Sequence, residues 1–192
     1  METTRPELRG SFGAVSSTHW LASAAGMAML ERGGNAFDAV VAAGFVLQVV
    51  EPHQNGLGGD MPAVCYDART NKLFVMCAQG SAPQSATIAA YKKLGVDVIP
   101  GTGLLAAVVP GAFDGWMQLL RDHGTMRLRD VMEPAIHYAG RGYPVTKMLS
   151  AYMAEAAPLL LECWPSSVAV YLPGGKAPAG GTTHSNPGLA ET

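Results

Sequence analysis

Charge is scarce in this chain. Only 15% of its 192 residues are charged, the net charge is −2, and there is no basic run. That argues against a nucleic acid or an anionic membrane surface as partner, since both need clustered lysine and arginine. Cysteine is nearly absent. Cys65, Cys77 and Cys163 are odd in number and unrelated in spacing, which argues against a disulfide framework and for a reducing, cytoplasmic setting. The longest apolar run, residues 39–50, is too short to span a bilayer and reads as a buried helix. No apolar signal core follows Glu2, Arg5, Glu7 and Arg9, so no secretory signal is expected. His19, His53, His123, His137 and His184 show no metal-ligand spacing with one another or with cysteine, and neither metal nor cofactor is expected.

What the chain does have is apolar residues, 48% of the total. That is greasy for this length and implies that some apolar surface meets a partner segment. Residues 12–17 are a short apolar run, expected as a first strand. Residues 21–32 carry Ala, Ser and Gly on a helical pattern, which suits close approach by another helix, and Gly33 and Gly34 supply the stop. Asn35 is then an N-cap with Asp38 three positions on, nearly a capping box. The helix over 36–50 is apolar on almost every side, so it must be covered, and Pro52 ends it. In the loop over 51–60, Gly56, Gly58 and Gly59 are expected to take backbone angles closed to other residues.

Residues 61–66 and 73–77 flank a polar link and predict a β-hairpin. A short helix is expected over 85–94, a buried run over 104–109 and an amphipathic helix over 113–123. Another helix over 131–141 is capped by Asp130, with Pro134 in its first turn. The last helical pattern, over 146–161, is interrupted by Pro158, and residues 173–192 read as a linker-like tail. Met27, Met29, Met148 and Met153 read as core filling. With few strands for the length, the fold class is α+β or layered α/β.

Read together, several segments resemble the γ-glutamyltranspeptidase family of N-terminal-nucleophile hydrolases. They are STHWLAS at 17–23, GGNAFDAVVAA at 33–43, VEPH at 50–53, GLGG at 56–59, Ala82-Pro83, VPG at 109–111, EPAI at 133–136 and GYPV at 142–145. Their order and spacing match from about residue 12 to residue 172. The resemblance implies a helix-rich portion of an αββα sandwich, α+β in class. It also implies a proenzyme that cuts itself into two subunits, the second led by a nucleophilic threonine whose α-amino group is the base. On that carry-over residues 1–172 are the front of the large subunit. The nucleophile lies beyond the chain, no catalytic residue lies within it, and the chain alone is expected to be inactive. The implied partners are a small-molecule amide, the remainder of the large subunit and the threonine-led small subunit.

One departure from the transpeptidase pattern bears on substrate. The family's arginine that grips the substrate α-carboxylate is replaced here by Gln79, the expected substrate-binding residue. An amide lacks the charge and the two-pronged fork that suit a carboxylate. Recognition should weaken by roughly 1.5–3 kcal/mol, about one to two decades in affinity. The loop over 56–62, GLGGDMP, also departs from the usual glycine run. Both departures resemble the branch of oxamate amidohydrolase and cephalosporin-acylase-like proteins, which implies hydrolysis of small acyl-amides. A truncated, non-catalytic homologue acting as a binding or assembly module is the alternative.

Thr182, in GTTH at 181–184, imitates the family's cleavage site but arrives too early and precedes a turn, so it is read as surface linker rather than nucleophile. The glycines at 56–59 follow a helix and precede a strand, the reverse of a phosphate cradle, and read as a tight loop beside the pocket. His19 and His53 sit in family-like segments and are read as structural. Cys77, near Gln79, is expected to be a buried, inert thiol.

Overall fold

A computed structural model describes residue 7 and residues 9–192; the other positions of the charged opening segment, Glu2 and Arg5 among them, lie outside the described residues. In chain order the elements are α1 (Trp20–Glu31), α2 (Ala36–Val50), β1 (Met61–Asp67), β2 (Lys72–Ala78), α3 (Ile88–Lys93), α4 (Ala112–His123), α5 (Leu128–Arg141), β3 (Tyr143–Pro144), α6 (Lys147–Cys163), α7 (Pro165–Tyr171), β4 (Thr183–His184) and α8 (Pro187–Glu191). The architecture is helix-rich with few strands, an α+β fold. Two compact units divide it: residues 1–55 with 119–192, and residues 56–118. No helix among the described residues is long and apolar enough to cross a membrane.

The first unit is built around α2, which packs against α1 and α5. Phe45, Val41, Val46 and Val50 are almost wholly buried, and Val40 is its one large hydrophobic residue left exposed. A helix this apolar is stable only when covered, because its propensity alone is marginal at fifteen residues. Gly26 of α1 lets the two backbones approach: a Cβ there would lie 2.9 Å from the Ala39 carbonyl oxygen and 2.8 Å from Val15 Cγ1.

The start of α2 is locked by a buried carboxylate. The Asn35 side chain accepts from the N–H groups of Phe37 and Asp38, while Asp38 Oδ2 accepts from the Asn35 N–H at 2.8 Å. That capping box satisfies donors every helix start leaves open. Asp38 also reaches across to the segment after α4. Its Oδ1 accepts from the N–H groups of Thr125 (2.9 Å) and Met126 (3.0 Å), and its Oδ2 from the Thr125 hydroxyl (2.7 Å). Asp38 is fully buried. Burial by itself would raise its pKa, but the N–H groups of Asn35, Met126 and Thr125 and the Thr125 hydroxyl outweigh that and hold the carboxyl below its ordinary value. Gly34 is required beside it, since a Cβ there would lie 2.6 Å from Met126 Sδ and 2.9 Å from the Met29 carbonyl oxygen. The GGNAFDA segment is thus a structural lock.

Several expectations need correction. Residues 12–17 form no strand among the described residues; Phe12 is 68% exposed and no second strand lies beside the segment. The run over 104–109 is not buried: Leu104, Leu105, Val108 and Val109 are all exposed, and residues 104–106 form one turn of 3-10 helix. Its apolar character says that it wants cover, not that cover is present. The third helix is six residues long, from Ile88, because Thr87 is its cap. Helix α5 begins at Leu128, so Asp130 lies in its first turn, paired with Arg127, and Pro134 sits nearly two turns in. Pro158 does not interrupt α6. The carbonyl it deprives of a donor belongs to Ala154, which is exposed and can turn to water. Met29 and Met153 are core residues, but Met148 is 53% exposed.

Residues 173–192, expected as linker, hold packed structure. Strand β4 pairs antiparallel with β3, matching Tyr143 with His184 and Pro144 with Thr183. Helix α8 lies against α5. The His184 ring is buried between Tyr143 and Tyr171, and that burial lowers its pKa.

In the second unit, β1 and β2 form an antiparallel hairpin with Met61 opposite Ala78 and Asp67 opposite Lys72. Asn71 takes the left-handed conformation the turn needs (φ 53°), and its side chain accepts from the Tyr66 hydroxyl at 2.7 Å. One face carries the pairs Pro62–Cys77, Val64–Val75 and Tyr66–Leu73, all six residues exposed. Such an apolar face accounts for part of the chain's high hydrophobic content.

Candidate functional site

The open end of the hairpin gathers the residues that depart from the transpeptidase pattern. Met61 pairs with Ala78, so the antiparallel register carried one step further sets Asp60 opposite Gln79. Gln79 Nε2 donates to Asp60 Oδ2 at 3.0 Å. Side chains two apart on a strand share a face, which brings Cys77 beside Gln79, and the thiol donates to Gln79 Oε1 at 3.5 Å. Asp60, Cys77 and Gln79 are all exposed.

Two backbone clamps hold this end. The Gly111 and Ala112 N–H groups, at the start of α4, both donate to the Gly59 carbonyl oxygen, at 3.1 and 3.0 Å. The Val109 N–H donates to the Ser81 carbonyl oxygen at 3.0 Å. Gly80 makes the second clamp possible, because a Cβ there would fall 1.3 Å from the Val109 carbonyl oxygen. The loop glycines behave differently from expectation. Gly56, Gly58 and Gly59 do not have positive φ, and added Cβ atoms at Gly56 and Gly58 would meet nothing. The loop is held to the start of α4 by Gly59 acting as acceptor, not by unusual backbone angles.

Cys77 also departs from expectation, since it is exposed rather than buried. A thiol reagent at mildly alkaline pH should therefore label Cys77 and Cys163 quickly. Cys65, half-buried and with its thiol pKa raised by burial, should lag by about tenfold or more. Peptide mapping after timed labelling reads the order, and equal rates at all three would overturn it.

The remaining candidates lie in the other unit. His19 is the N-cap of α1; its Nδ1 accepts from the Leu21 N–H at 3.2 Å, and its ring stacks on Trp20 at 4.0 Å. Burial pulls its pKa down, against the raising influence of the Glu51 carboxylate. Glu51, buried at the end of α2, accepts from the Thr18 hydroxyl. His53 stacks on Tyr152 at 4.7 Å, and neither ring nitrogen finds a hydrogen-bond partner among the described residues. The Thr182 hydroxyl donates to the Ala179 carbonyl oxygen at 2.6 Å within its own turn. Among the described residues no group of three or more His, Cys, Asp or Glu is placed to hold a metal ion.

Sequence reasoning singled out Gln79 and noted the unusual loop, but passed over Asp60 as its hydrogen-bond acceptor. The signal was available in the hairpin register, which sets positions 60 and 79 opposite one another.

Known proteins resemble the chain in sequence and in structure. The solved structure of LmbA2991HD is 54% identical over 100% of this chain and 33% of its own, with a TM-score of 0.93. The glutathione hydrolase-like YwrD proenzyme of Bacillus subtilis (strain 168) is 37% identical, covering 93% of this chain and 34% of its own length. The oxamate amidohydrolase proenzyme of Klebsiella pneumoniae is 35% identical, covering 94% and 34%. The chain thus spans about a third of the length of the curated relatives it matches. The family model described as Gamma-glutamyltranspeptidase matches residues 22–192. With that match over most of the chain, and relatives 35–37% identical over more than nine-tenths of it, the chain belongs to the gamma-glutamyltranspeptidase family.

Proposed function

We propose that this chain supplies the front of the large subunit of a proenzyme in this family, an N-terminal-threonine hydrolase that cleaves small acyl-amides. In that reading residues 1–172 give scaffold and one wall of the substrate pocket, and the αββα sandwich is completed by the remainder of the large subunit and by a threonine-led small subunit. The exposed apolar pairs of the hairpin support such a completion. The reaction is acyl transfer to water: a threonine hydroxyl attacks the amide carbonyl, its α-amino group takes the proton and returns it to the leaving amine, and water then releases the acid. Three free thiols suit a reducing, cytoplasmic setting.

The observation that carries the substrate class is the uncharged Gln79, hydrogen-bonded to Asp60, where the resemblance puts a carboxylate-gripping arginine. An uncharged amide at position 79 favours a neutral acyl group over a γ-glutamyl group. The relatives named as acylases are compatible with this preference, whereas the one named as an oxamate amidohydrolase is not, because oxamate is itself a carboxylate. Co-expression of the chain with the missing large-subunit segment and a threonine-led small subunit tests it. Hydrolysis of a small neutral acyl-amide should appear on assembly and exceed that of a γ-glutamyl amide. An assembled, processed protein that hydrolyses neither would overturn the enzyme reading, and preference for the γ-glutamyl amide would overturn the substrate class.

A further inference from the structure

The hairpin end holds a carboxylate to which neither the family pattern nor the fold assigns a role. Asp60 is the residue immediately before β1, and Gln79 the residue immediately after β2. A glutamine at a strand end has three side-chain torsions and an amide that can rotate end for end, so left alone it presents a mixture of donor and acceptor. Here both ends of the amide are engaged. Asp60 is an acceptor only, so it fixes the Nε2 end at 3.0 Å. The Cys77 thiol, as donor, marks the Oε1 end from the other side. The clamps at Gly59 and Gly80 hold the backbone on either side of the pair.

We propose that Asp60 is a positioning residue for Gln79. Its carboxylate holds the side-chain amide in one orientation, leaving one N–H and one oxygen lone pair unused and available to the acyl group. A carboxamide head group offers an acceptor and a donor and can answer both. A carboxylate offers acceptors alone, matches only the N–H, and brings negative charge toward Asp60. The pair, not Gln79 by itself, thus selects a neutral head group bearing a hydrogen-bond donor. This inference rests on the reading that Gln79 faces substrate.

The test is steady-state kinetics on the processed enzyme carrying these residues, with a small acyl-amide bearing a carboxamide head group as substrate. Gln79→Ala should raise KM roughly 3–10-fold with kcat little changed, as loss of a binding contact does. Asp60→Ala should do the same, and the double variant should be no worse than Gln79→Ala, because the two act as one unit. Asp60→Asn keeps an oxygen acceptor for Nε2 but adds a donor that can also meet the flipped amide, so it should restore part of the lost KM, leaving it between the parent and Asp60→Ala. Asp60→Gly serves as the second removal variant should Asp60→Ala fail to process. If Gln79→Ala raises KM while Asp60→Ala and Asp60→Gly do not, Asp60 does not position it and the inference falls alone. Additive effects in the double variant, or Asp60→Asn as damaging as Asp60→Ala, would overturn it equally. If Gln79→Ala leaves KM unchanged, the placement of Gln79 at the substrate falls first, and the inference with it.

Discussion

Replacing Asp38 with alanine should destabilise the protein by about 3–5 kcal/mol, a large share of the 5–15 kcal/mol that holds an ordinary domain together. The variant strips acceptors from three backbone N–H groups, those of Asn35, Thr125 and Met126, and from the Thr125 hydroxyl. These bonds are part-buried; each donor left without an acceptor costs up to about 1–3 kcal/mol, and the losses overlap because the donors share one carboxylate. Asp38→Asn should be nearly as damaging, since its amide nitrogen would point a donor at donors. The same residue sets a pH dependence. Its carboxyl pKa is lower folded than unfolded, so its contribution is fully present above the unfolded value. That contribution is lost as pH falls through the folded value. Urea unfolding across an acid pH series reads both effects. Parent and Asp38→Ala curves should converge at the acid end; a constant gap down to the lowest pH would overturn the argument.

That lock also shows what was legible in the sequence. Asn35, Asp38 and Pro52 act over a few residues of chain, and the boundaries of α2 at Ala36 and Val50 were therefore readable from them. The hairpin was readable for the same reason: two short runs rich in Val, Tyr, Phe and Cys on either side of a polar turn fix it locally. Where burial depends on what lies across from a segment, the reading failed. Residues 12–17 and 104–109 are apolar enough for a strand or a core run, yet find no pairing strand or cover among the described residues. The tail failed in the opposite sense. Its Pro and Gly over 173–181 look like linker, but the backbone of residues 181 and 182 bonds to Val145, and His184 is buried between two tyrosines. Composition carries no sign of a two-residue strand pairing across such a distance. The candidate site stands between these cases. Gln79 was visible as a departure from a family pattern, whereas Asp60 became visible only once the strand register was set.

Restoring the transpeptidase pattern at this hairpin should change what the assembled enzyme accepts. Gln79→Arg places a guanidinium where the resemblance expects one, and a full charge-assisted pair with a substrate carboxylate contributes roughly 1.5–3 kcal/mol, or about 10–100-fold in kcat/KM. Asp60 stands in the way of that full gain. Its carboxylate, already within 3.0 Å of the Gln79 amide, is the nearest acceptor for the new guanidinium. It would occupy one side of the fork and offset the positive charge. The single variant should therefore raise the preference for a γ-glutamyl amide over a neutral acyl-amide by less than about tenfold. Adding Asp60→Gly, which also returns the loop toward the glycine run of the transpeptidases, should release the remainder and reach about 10–100-fold. Removing the same carboxylate thus harms the parent enzyme and helps the arginine variant, a reversal of sign that a merely structural role for Asp60 does not produce. The measurement is the ratio of kcat/KM for the two substrates in parent, single and double variants, with subunit processing as the control for folding. An unchanged ratio in a processed double variant that still turns over the neutral amide would place the carboxylate-selecting wall somewhere other than this hairpin end.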